Sequence, residues 1–194
     1  PGCTVLFLYG GRWSSGSRAL YHFAGQAFAS QGCVTAVADY RLYPKVRYPA
    51  FLEDSARAFV FLHRHAREYG GDPDRMFLAG HSAGAYNAVM LTVNPRFIAA
   101  AGGKPGWIKG TIGISGPYDF LPFTDADVID IFSTEKSPAT QPIDYVHKGL
   151  PPMLLATGAN DTQVKPKNTV NMAAKLRAAG DPVETHIYPD AQHE

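Results

Sequence analysis

The sequence predicts an α/β fold in three layers, in which helices cover both faces of a mostly parallel central sheet. Strand-like and helix-like segments alternate along the whole chain, which is typical of βαβ units. The strand-like segments are short apolar runs of the kind that parallel sheets bury on both faces. No internal repeat or low-complexity linker interrupts them. Residues 1–194 are therefore expected to form a single domain.

Six apolar runs are expected to be the strands of this sheet. Each is short, rich in aliphatic residues and bounded by turn-forming residues, as buried strands are. They cover residues 3–9, 34–39, 76–79, 108–115, 153–157 and 183–188.

Two predicted helices lie between these strands, and one segment breaks the alternation. Pro49 is expected to open the first helix, with apolar residues spaced by three and four until Gly70-Gly71 and a turn at 72–74. The second starts at Pro166. Residues from about 117 to 150 are rich in Pro, Asp, Phe and Thr, and we interpret them as a lid-like insertion over the carboxyl edge of the sheet.

The charge pattern argues against nucleic acid and membrane surfaces as partners. The formal net charge is +1, and the Lys and Arg residues are scattered. No apolar run approaches the roughly 20 residues that a membrane helix needs. We therefore expect a soluble protein, in the cytoplasm rather than secreted, that acts on a small molecule. The oligomeric state is not predicted.

The two cysteines, Cys3 and Cys33, are too few for a disulfide scaffold and lack the spacing of a metal site. We expect them to be free thiols. A bridge is the alternative, because both lie at the start of predicted strands. Parallel neighbours could bring them within the roughly 4.4–6.8 Å between Cα atoms that a disulfide requires.

The most informative motif is Gly80-His81-Ser82-Ala83-Gly84, which directly follows the predicted strand 76–79 and precedes a helical run. That setting is what a nucleophile elbow requires. The elbow strains the backbone so that the serine hydroxyl stands clear of the turn, and the flanking positions must then lack side chains. The sequence therefore predicts that Ser82 is a nucleophile.

A serine hydroxyl needs a base within hydrogen-bond reach and a third group that orients the base. In hydrolases with this elbow the acid and then the histidine follow the serine, in loops after later strands. Asp161 lies just past the strand 153–157, and His193 just past 183–188. Asp119, one strand earlier, is the rival acid. We expect Asp161 to orient His193, and His193 to be the base.

Acyl transfer also needs backbone N–H donors for a developing oxyanion. Ala83, which follows the nucleophile, is expected to provide one. Gly10, Gly11 and Arg12 close the first strand, where paired glycines allow the backbone to approach a ligand closely. We expect the remaining donors there.

Three segments of the chain resemble motifs of one group of enzymes. Residues 9–13 (YGGRW) are similar to the HGGGW or HGGxW oxyanion motif, with Tyr9 in place of His and Arg12 in place of a third Gly. Residues 39–50 resemble the signature DYRLAP followed by FPA, and residues 70–73 resemble a GGDP turn. The chain thus resembles hormone-sensitive-lipase-like carboxylesterases and kynurenine-formamidase relatives of the α/β-hydrolase superfamily.

The resemblance covers nearly the whole chain and implies a serine hydrolase without metal or cofactor. It implies that Asp39 and Arg41 support the oxyanion loop. It also implies two strands before the first one here and a helix after His193. Because the chain begins with Pro1 and stops one residue after His193, we expect it to be a fragment.

The predicted activity is hydrolysis of a small carboxylic ester through an acyl-enzyme. The alternatives are an amide or formamide hydrolase, which would use the same triad, and a hydrolase-fold receptor that binds a small molecule without turnover. Side chains near the predicted motifs are candidates for the substrate pocket, namely Trp13, His81, Tyr86, Tyr118, Phe120 and Phe123.

Overall fold

The computed structural model describes residues 2–193 and is built on a six-stranded sheet. Neighbouring strands are all parallel, in the order β2-β1-β3-β4-β5-β6. The strands are β1 (Gly2–Leu8), β2 (Val34–Ala38), β3 (Gly71–His81), β4 (Ile108–Ile114), β5 (Met153–Gly158) and β6 (Val183–Tyr188). The predicted α/β fold with a parallel sheet is confirmed.

Six α-helices connect and cover these strands in the described residues. They are α1 (His22–Ala29), α2 (Ala50–His65), α3 (Ala83–Val93), α4 (Arg96–Ala100), α5 (Ala126–Phe132) and α6 (Lys167–Ala179). Short 3₁₀ turns lie at Ala66–Tyr69, Pro105–Trp107, Pro138–Thr140 and Pro142–Tyr145. None of the helices within residues 2–193 is long and apolar enough to cross a membrane.

The core lies on both faces of the sheet because successive strand residues point to opposite sides. On β1, Val5 and Phe7 pack with Ala24 of α1, whereas Leu6 and Leu8 belong to the larger cluster that includes α2 and α3. Every residue of α3 is buried. A helix that is apolar on all sides is expected at such a central position, and α3 directly follows the predicted nucleophile.

The helix after Pro49 forms as predicted and runs from Ala50 to His65, with Leu52, Ala56 and Phe59 fully buried. It continues as a 3₁₀ turn that ends at Gly70, whose φ of +80° suits glycine.

The predicted start of the third strand at Met76 is wrong. β3 begins at Gly71, which pairs with Gly2, and Met76 pairs with Thr4. Five steps along β3 therefore match two along β1. The extra residues form a bulge that contains the expected polar turn, in which the Asp74 N–H donates to Asp72 Oδ1 at 2.9 Å.

The expectation of free thiols is also wrong, because Cys3 and Cys33 form a disulfide with their Cα atoms 4.5 Å apart. Thr4 pairs with Val34 in the parallel ladder of β1 and β2, so the preceding residues stand side by side. The tie joins the amino ends of these two strands.

The segment 117–150 contains α5 and two 3₁₀ turns. Asp125 caps α5 by accepting hydrogen bonds from the N–H groups of Asp127 and Val128. Further along α5, Arg47 and Tyr43 both donate to Asp130 Oδ2, each at 2.7 Å. The segment is thus tied to the chain between β2 and α2, and its function as a lid stays a prediction.

Candidate active site

Ser82 lies in the sharp turn between β3 and α3, with φ of +53° and ψ of −120°. This is a strained conformation for a residue with a side chain. Its N–H donates to the Ile114 carbonyl at 2.8 Å, which anchors the turn to β4. A Cβ on Gly80 would collide with the Gly84 carbonyl, and one on Gly84 would collide with the Leu8 carbonyl. The two glycines are therefore required by the close packing of the turn.

The three residues predicted as a triad form one hydrogen-bonded row. Ser82 Oγ is 2.9 Å from His193 Nε2, and His193 Nδ1 is 2.7 Å from Asp161 Oδ2. All three residues are at most 9% exposed. A carboxylate only accepts, so Nδ1 carries the proton and Nε2 presents its lone pair to the serine. The other carboxylate oxygen accepts from the N–H groups of Gln163 and Val164 at 2.9 and 2.8 Å.

The rival acid, Asp119, lies elsewhere. Its carboxylate accepts a hydrogen bond from Asn171 Nδ2, and its N–H donates to Asn168 Oδ1 at 2.8 Å. Asp119 is thus bound to α6, and Asp161 is the carboxylate that touches His193.

The loops that carry the acid and the base are joined to each other. Asn160 N–H donates to the Ala191 carbonyl at 3.0 Å, and Asn160 Nδ2 donates to the Pro189 carbonyl at the same distance. Gly158 allows this approach, because a Cβ there would collide with the carbonyls of Ala191 and Gln192. Sequence reasoning did not single out Asn160 or Gly158.

The predicted oxyanion loop is strained and firmly held. Gly11, Arg12 and Trp13 have φ values of +128°, +54° and +58°. Trp13 Nε1 donates to Asn87 Oδ1 at 3.1 Å, and the Trp13 carbonyl accepts from the Tyr43 N–H at 2.8 Å. Arg12 therefore adopts a conformation that glycine adopts more readily, and the surrounding contacts hold it there.

Four backbone N–H groups predicted as donors have no acceptor within residues 2–193, namely those of Gly10, Gly11, Arg12 and Ala83. Gly10 lies against the nucleophile, since a Cβ there would be 3.0 Å from Ser82 Cβ. Arg12 and Ala83 line the same cavity as Ser82.

Tyr9, where the resembling enzymes have His, is buried and serves to fix this loop. Its ring stacks on Tyr40 with centroids 4.7 Å apart, and Tyr40 Oη donates to the Tyr9 carbonyl at 2.6 Å. Burial raises the pKa of Tyr9, and the Asp39 carboxylate acts in the same direction. Arg41 instead forms a bidentate pair with Asp54 of α2 at 2.8 and 3.0 Å.

A cavity of about 420 Å³ opens above Ser82 and His193. The insertion forms one wall, and the loop after β5 together with the first residues of α6 forms the other, here called the loop wall. Trp13, Phe120 and Phe123 line it as predicted. The loop wall was not predicted, because nothing in its sequence marks it. It consists of Gln163, Val164, Lys165, Lys167 and Asn168.

Three of the predicted pocket residues lie behind the walls instead. Tyr86 and Tyr118 are fully buried, and neither they nor His81 line the cavity. Tyr86 donates to the Thr140 carbonyl at 2.7 Å and packs edge-on against Trp13. Burial raises the pKa of both tyrosines, so they stay neutral phenols. Tyr86 and Tyr118 are thus core residues.

Within residues 2–193, no group of three or more His, Cys, Asp or Glu side chains is arranged to hold a metal ion.

Comparison with known proteins identifies the family. The BD-FAE family model matches residues 2–176. The chain belongs to this family. Carboxylesterase NlhH of Mycobacterium tuberculosis is 30% identical to this BD-FAE chain over 97% of the chain and 65% of NlhH. A probable isoprenylcysteine alpha-carbonyl methylesterase of Arabidopsis thaliana, ICMEL1, is 26% identical over the whole chain and 45% of its own length. The BD-FAE chain spans about half the length of several curated relatives.

Solved structures agree with this relationship. The apo form of Thermogutta terrifontis esterase 2 superposes with a TM-score of 0.86 at 26% identity, covering 98% of this chain and 73% of that protein. The predicted α/β-hydrolase fold, and the resemblance to esterases of that superfamily, are therefore confirmed.

Proposed function

We propose that this BD-FAE protein hydrolyses small carboxylic esters through a covalent acyl-enzyme. The observation that carries the proposal is the continuous row of Asp161, His193 and Ser82 at the base of a 420 Å³ cavity. The carboxylesterases and methylesterases among its relatives support the ester as the substrate class.

In the first half-reaction, His193 Nε2 accepts the Ser82 proton as Oγ attacks the acyl carbon. Asp161 holds the ring with Nε2 toward the serine and stabilises the imidazolium. His193 then gives the proton to the departing alcohol. In the second half-reaction, His193 takes a proton from water as the water oxygen attacks the acyl carbon. His193 then returns this proton to Ser82 Oγ as the bond from Oγ to the acyl carbon breaks, which releases the acid and restores the free serine.

Charge that develops on the acyl oxygen is stabilised by backbone donors. The N–H of Ala83 and the N–H groups of residues 10–12 are without other partners in residues 2–193 and are candidates for this task. Since the strain at Arg12 is held by buried contacts of Trp13, these donors are preorganised before substrate binds.

The cavity wall favours an apolar or aryl group next to the ester. Trp13, Phe120, Leu121 and Phe123 present apolar surface to the cavity, and sites of this size bind small ligands largely through such surface. The polar side chains of the loop wall lie across from them.

The test is the hydrolysis of 4-nitrophenyl butyrate by the wild type and by Ser82→Ala, with labelling by a fluorophosphonate probe. We expect wild-type turnover, labelling at Ser82, and loss of turnover by several orders of magnitude in the variant. A folded variant that keeps its activity would contradict the mechanism. Absence of both turnover and labelling in the wild type would favour a receptor.

A second comparison separates ester from amide chemistry. A matched aryl ester and N-formyl aryl amine present similar rings to the same site. We expect the higher kcat/KM for the ester. A higher value for the formamide would replace the ester by the amide as the substrate class and leave the triad in place.

A further inference from the structure

His81 stands next to the nucleophile in the chain and takes no part in the steps proposed above. Its ring is half-buried, outside the cavity lining, with its centroid 5.1 Å from that of His193. Its Nε2 lies 2.9 Å from the backbone carbonyl oxygen of His193, and its Nδ1 lies 2.9 Å from Tyr21 Oη. We propose that His81 is a positioning residue that holds the backbone of the base against the nucleophile elbow.

The contact with the His193 carbonyl fixes the position of one proton on the His81 ring. A carbonyl oxygen only accepts hydrogen bonds, so Nε2 must carry the proton. In the neutral ring Nδ1 then has the lone pair, and it accepts the hydroxyl proton of Tyr21. In that tautomer the hydrogen bonds run in one direction, from Tyr21 through His81 to the His193 carbonyl.

The loop of His193 needs such a contact, because His193 stands five residues beyond the end of β6. The two hydrogen bonds from Asn160 and the contact with the Asp161 carboxylate tie this loop to the loop after β5. They set the base relative to the acid. From the elbow, Ser82 Oγ contacts the ring of His193, and His81 holds the His193 backbone. His81 therefore fixes the backbone of the base relative to Ser82.

Tyr21, His81 and Ser82 also lie against the oxyanion loop at Gly10. A Cβ added at Gly10 would lie 2.9 Å from Tyr21 Oη and 3.0 Å from both His81 Nδ1 and Ser82 Cβ. The base, the nucleophile and the oxyanion loop therefore meet at the His81 ring. A shift of about 1 Å in a reacting group can cost about a hundredfold in rate, so a fixed spacing at this point has a direct effect on turnover.

Two substitutions separate positioning from packing. The side-chain nitrogen of Gln reaches about as far as Nε2 of His, whereas that of Asn reaches only about as far as Nδ1. His81→Gln can therefore keep the donor to the His193 carbonyl, and His81→Asn cannot. The Asn and Gln side chains are both polar and no larger than His. If His81 had only a packing role, the two substitutions would therefore have similar effects.

The inference rests on the proposed function and is tested by steady-state kinetics with 4-nitrophenyl butyrate. We expect His81→Asn to lower kcat by about ten- to a hundredfold with KM changed less than about twofold. His81→Gln should stay within about fivefold of the wild type. The matched control is His186→Asn, because His186 is an exposed histidine on β6 outside the cavity lining. This substitution should leave kcat and KM unchanged.

Equal kcat values for the folded Asn and Gln variants would overturn the positioning role while leaving the proposed hydrolase intact. Wild-type protein without turnover would contradict both. If thermal unfolding shows that His81→Asn does not fold, Tyr21→Phe provides the second test, because it removes the donor to Nδ1. A fall in kcat of about threefold or more at unchanged KM is expected there, and an unchanged kcat would overturn the inference.

Discussion

Each side of the cavity contains a short contact between a charged or titratable nitrogen and a carboxylate. The two contacts are nearly equal in length but differ in their exposure to water. On the side of the triad, His193 Nδ1 and Asp161 Oδ2 are 2.7 Å apart, with side chains 11% and 0% exposed. On the side of the insertion, Arg12 Nη2 and Asp125 Oδ2 are 2.8 Å apart, with side chains 57% and 48% exposed. Water screens the second pair and not the first, so distance alone does not rank them.

The difference reflects how each side is built. The triad residues follow strands of the sheet, and the Asp161 carboxylate contacts two backbone N–H groups as well as His193. In the insertion, the Phe132 ring packs with centroid distances below 6 Å against the rings of Trp13, Tyr48, Phe51, Tyr86, Phe120 and Phe123. We therefore expect the triad side to be sensitive to polar changes and the insertion side to loss of apolar volume.

The strongest test of this contrast is Asp161→Asn against Asp125→Asn. The first keeps the shape of the side chain but no longer fixes the proton on Nδ1 of His193, and we expect kcat to fall by about 10⁴-fold. The second should leave kcat within about threefold, because its partner is exposed to water. Ester hydrolysis at pH 7.5 measures both. Similar losses in the two variants would refute the contrast.

The insertion side is tested by Phe132→Ala. Phe132 is 3% exposed, and truncation of a buried Phe costs about 3–5 kcal/mol in the free energy of unfolding. Urea denaturation measures this, with Phe61→Ala as the control, since Phe61 is 54% exposed. A loss below about 1 kcal/mol would mean that the cluster does not support the fold.

A steric change at the oxyanion loop should have an intermediate effect. Gly10→Ala places a methyl group 3.0 Å from Ser82 Cβ and 2.9 Å from Tyr21 Oη, so the oxyanion loop or the contacting side chains, Ser82 among them, must shift by a few tenths of an ångström. We expect kcat/KM to fall by about a hundredfold. Gly106→Ala, where an added Cβ meets nothing within 4 Å, should keep the wild-type value. Unchanged activity in Gly10→Ala would remove this loop from the oxyanion site.

The smallest effect is expected from the Arg12 and Asp125 pair itself. In a double-mutant cycle with Arg12→Gln and Asp125→Asn, the coupling between the two side chains in the free energy of unfolding should be below about 1 kcal/mol. The hydrogen bond from Arg12 holds the pKa of Asp125 below its usual value. The contribution of this ion pair to the free energy of unfolding is therefore complete above the pKa of Asp in the unfolded chain, about 3.9. It is lost as the pH falls through the lower pKa of the folded protein. A coupling that grows between pH 5 and 8 would contradict this.

The sequence predicted those features that depend on local pattern. Buried strands appear as apolar runs, and the elbow appears as two glycines around Ser82 between a strand and a helix. Because parallel strands end at one edge of the sheet, the order of Asp161 and His193 after later strands was enough to bring them close to Ser82.

Features that depend on register or on side-chain direction were missed. The bulge in β3 arises from its pairing with β1, which no local pattern of residues 71–76 reveals. Tyr86 and Tyr118 are near the site in the chain, yet their side chains point into the core. The Cys3–Cys33 bridge was left as the alternative, since composition could not decide whether neighbouring strand starts were close enough.

The disulfide joins the starts of β1 and β2, whereas Ser82 follows the carboxyl end of β3. Six residues of strand separate the two levels, which is roughly 20 Å. The bridge closes a loop across 30 positions, a span at which cross-linking stabilises a fold by about 3–4 kcal/mol. Initial rates of ester hydrolysis should therefore agree in buffers with and without a reducing thiol. The half-life of activity at elevated temperature should be shorter with the thiol, because it reduces the disulfide. The thermal stability and the turnover rate of the enzyme can thus vary independently.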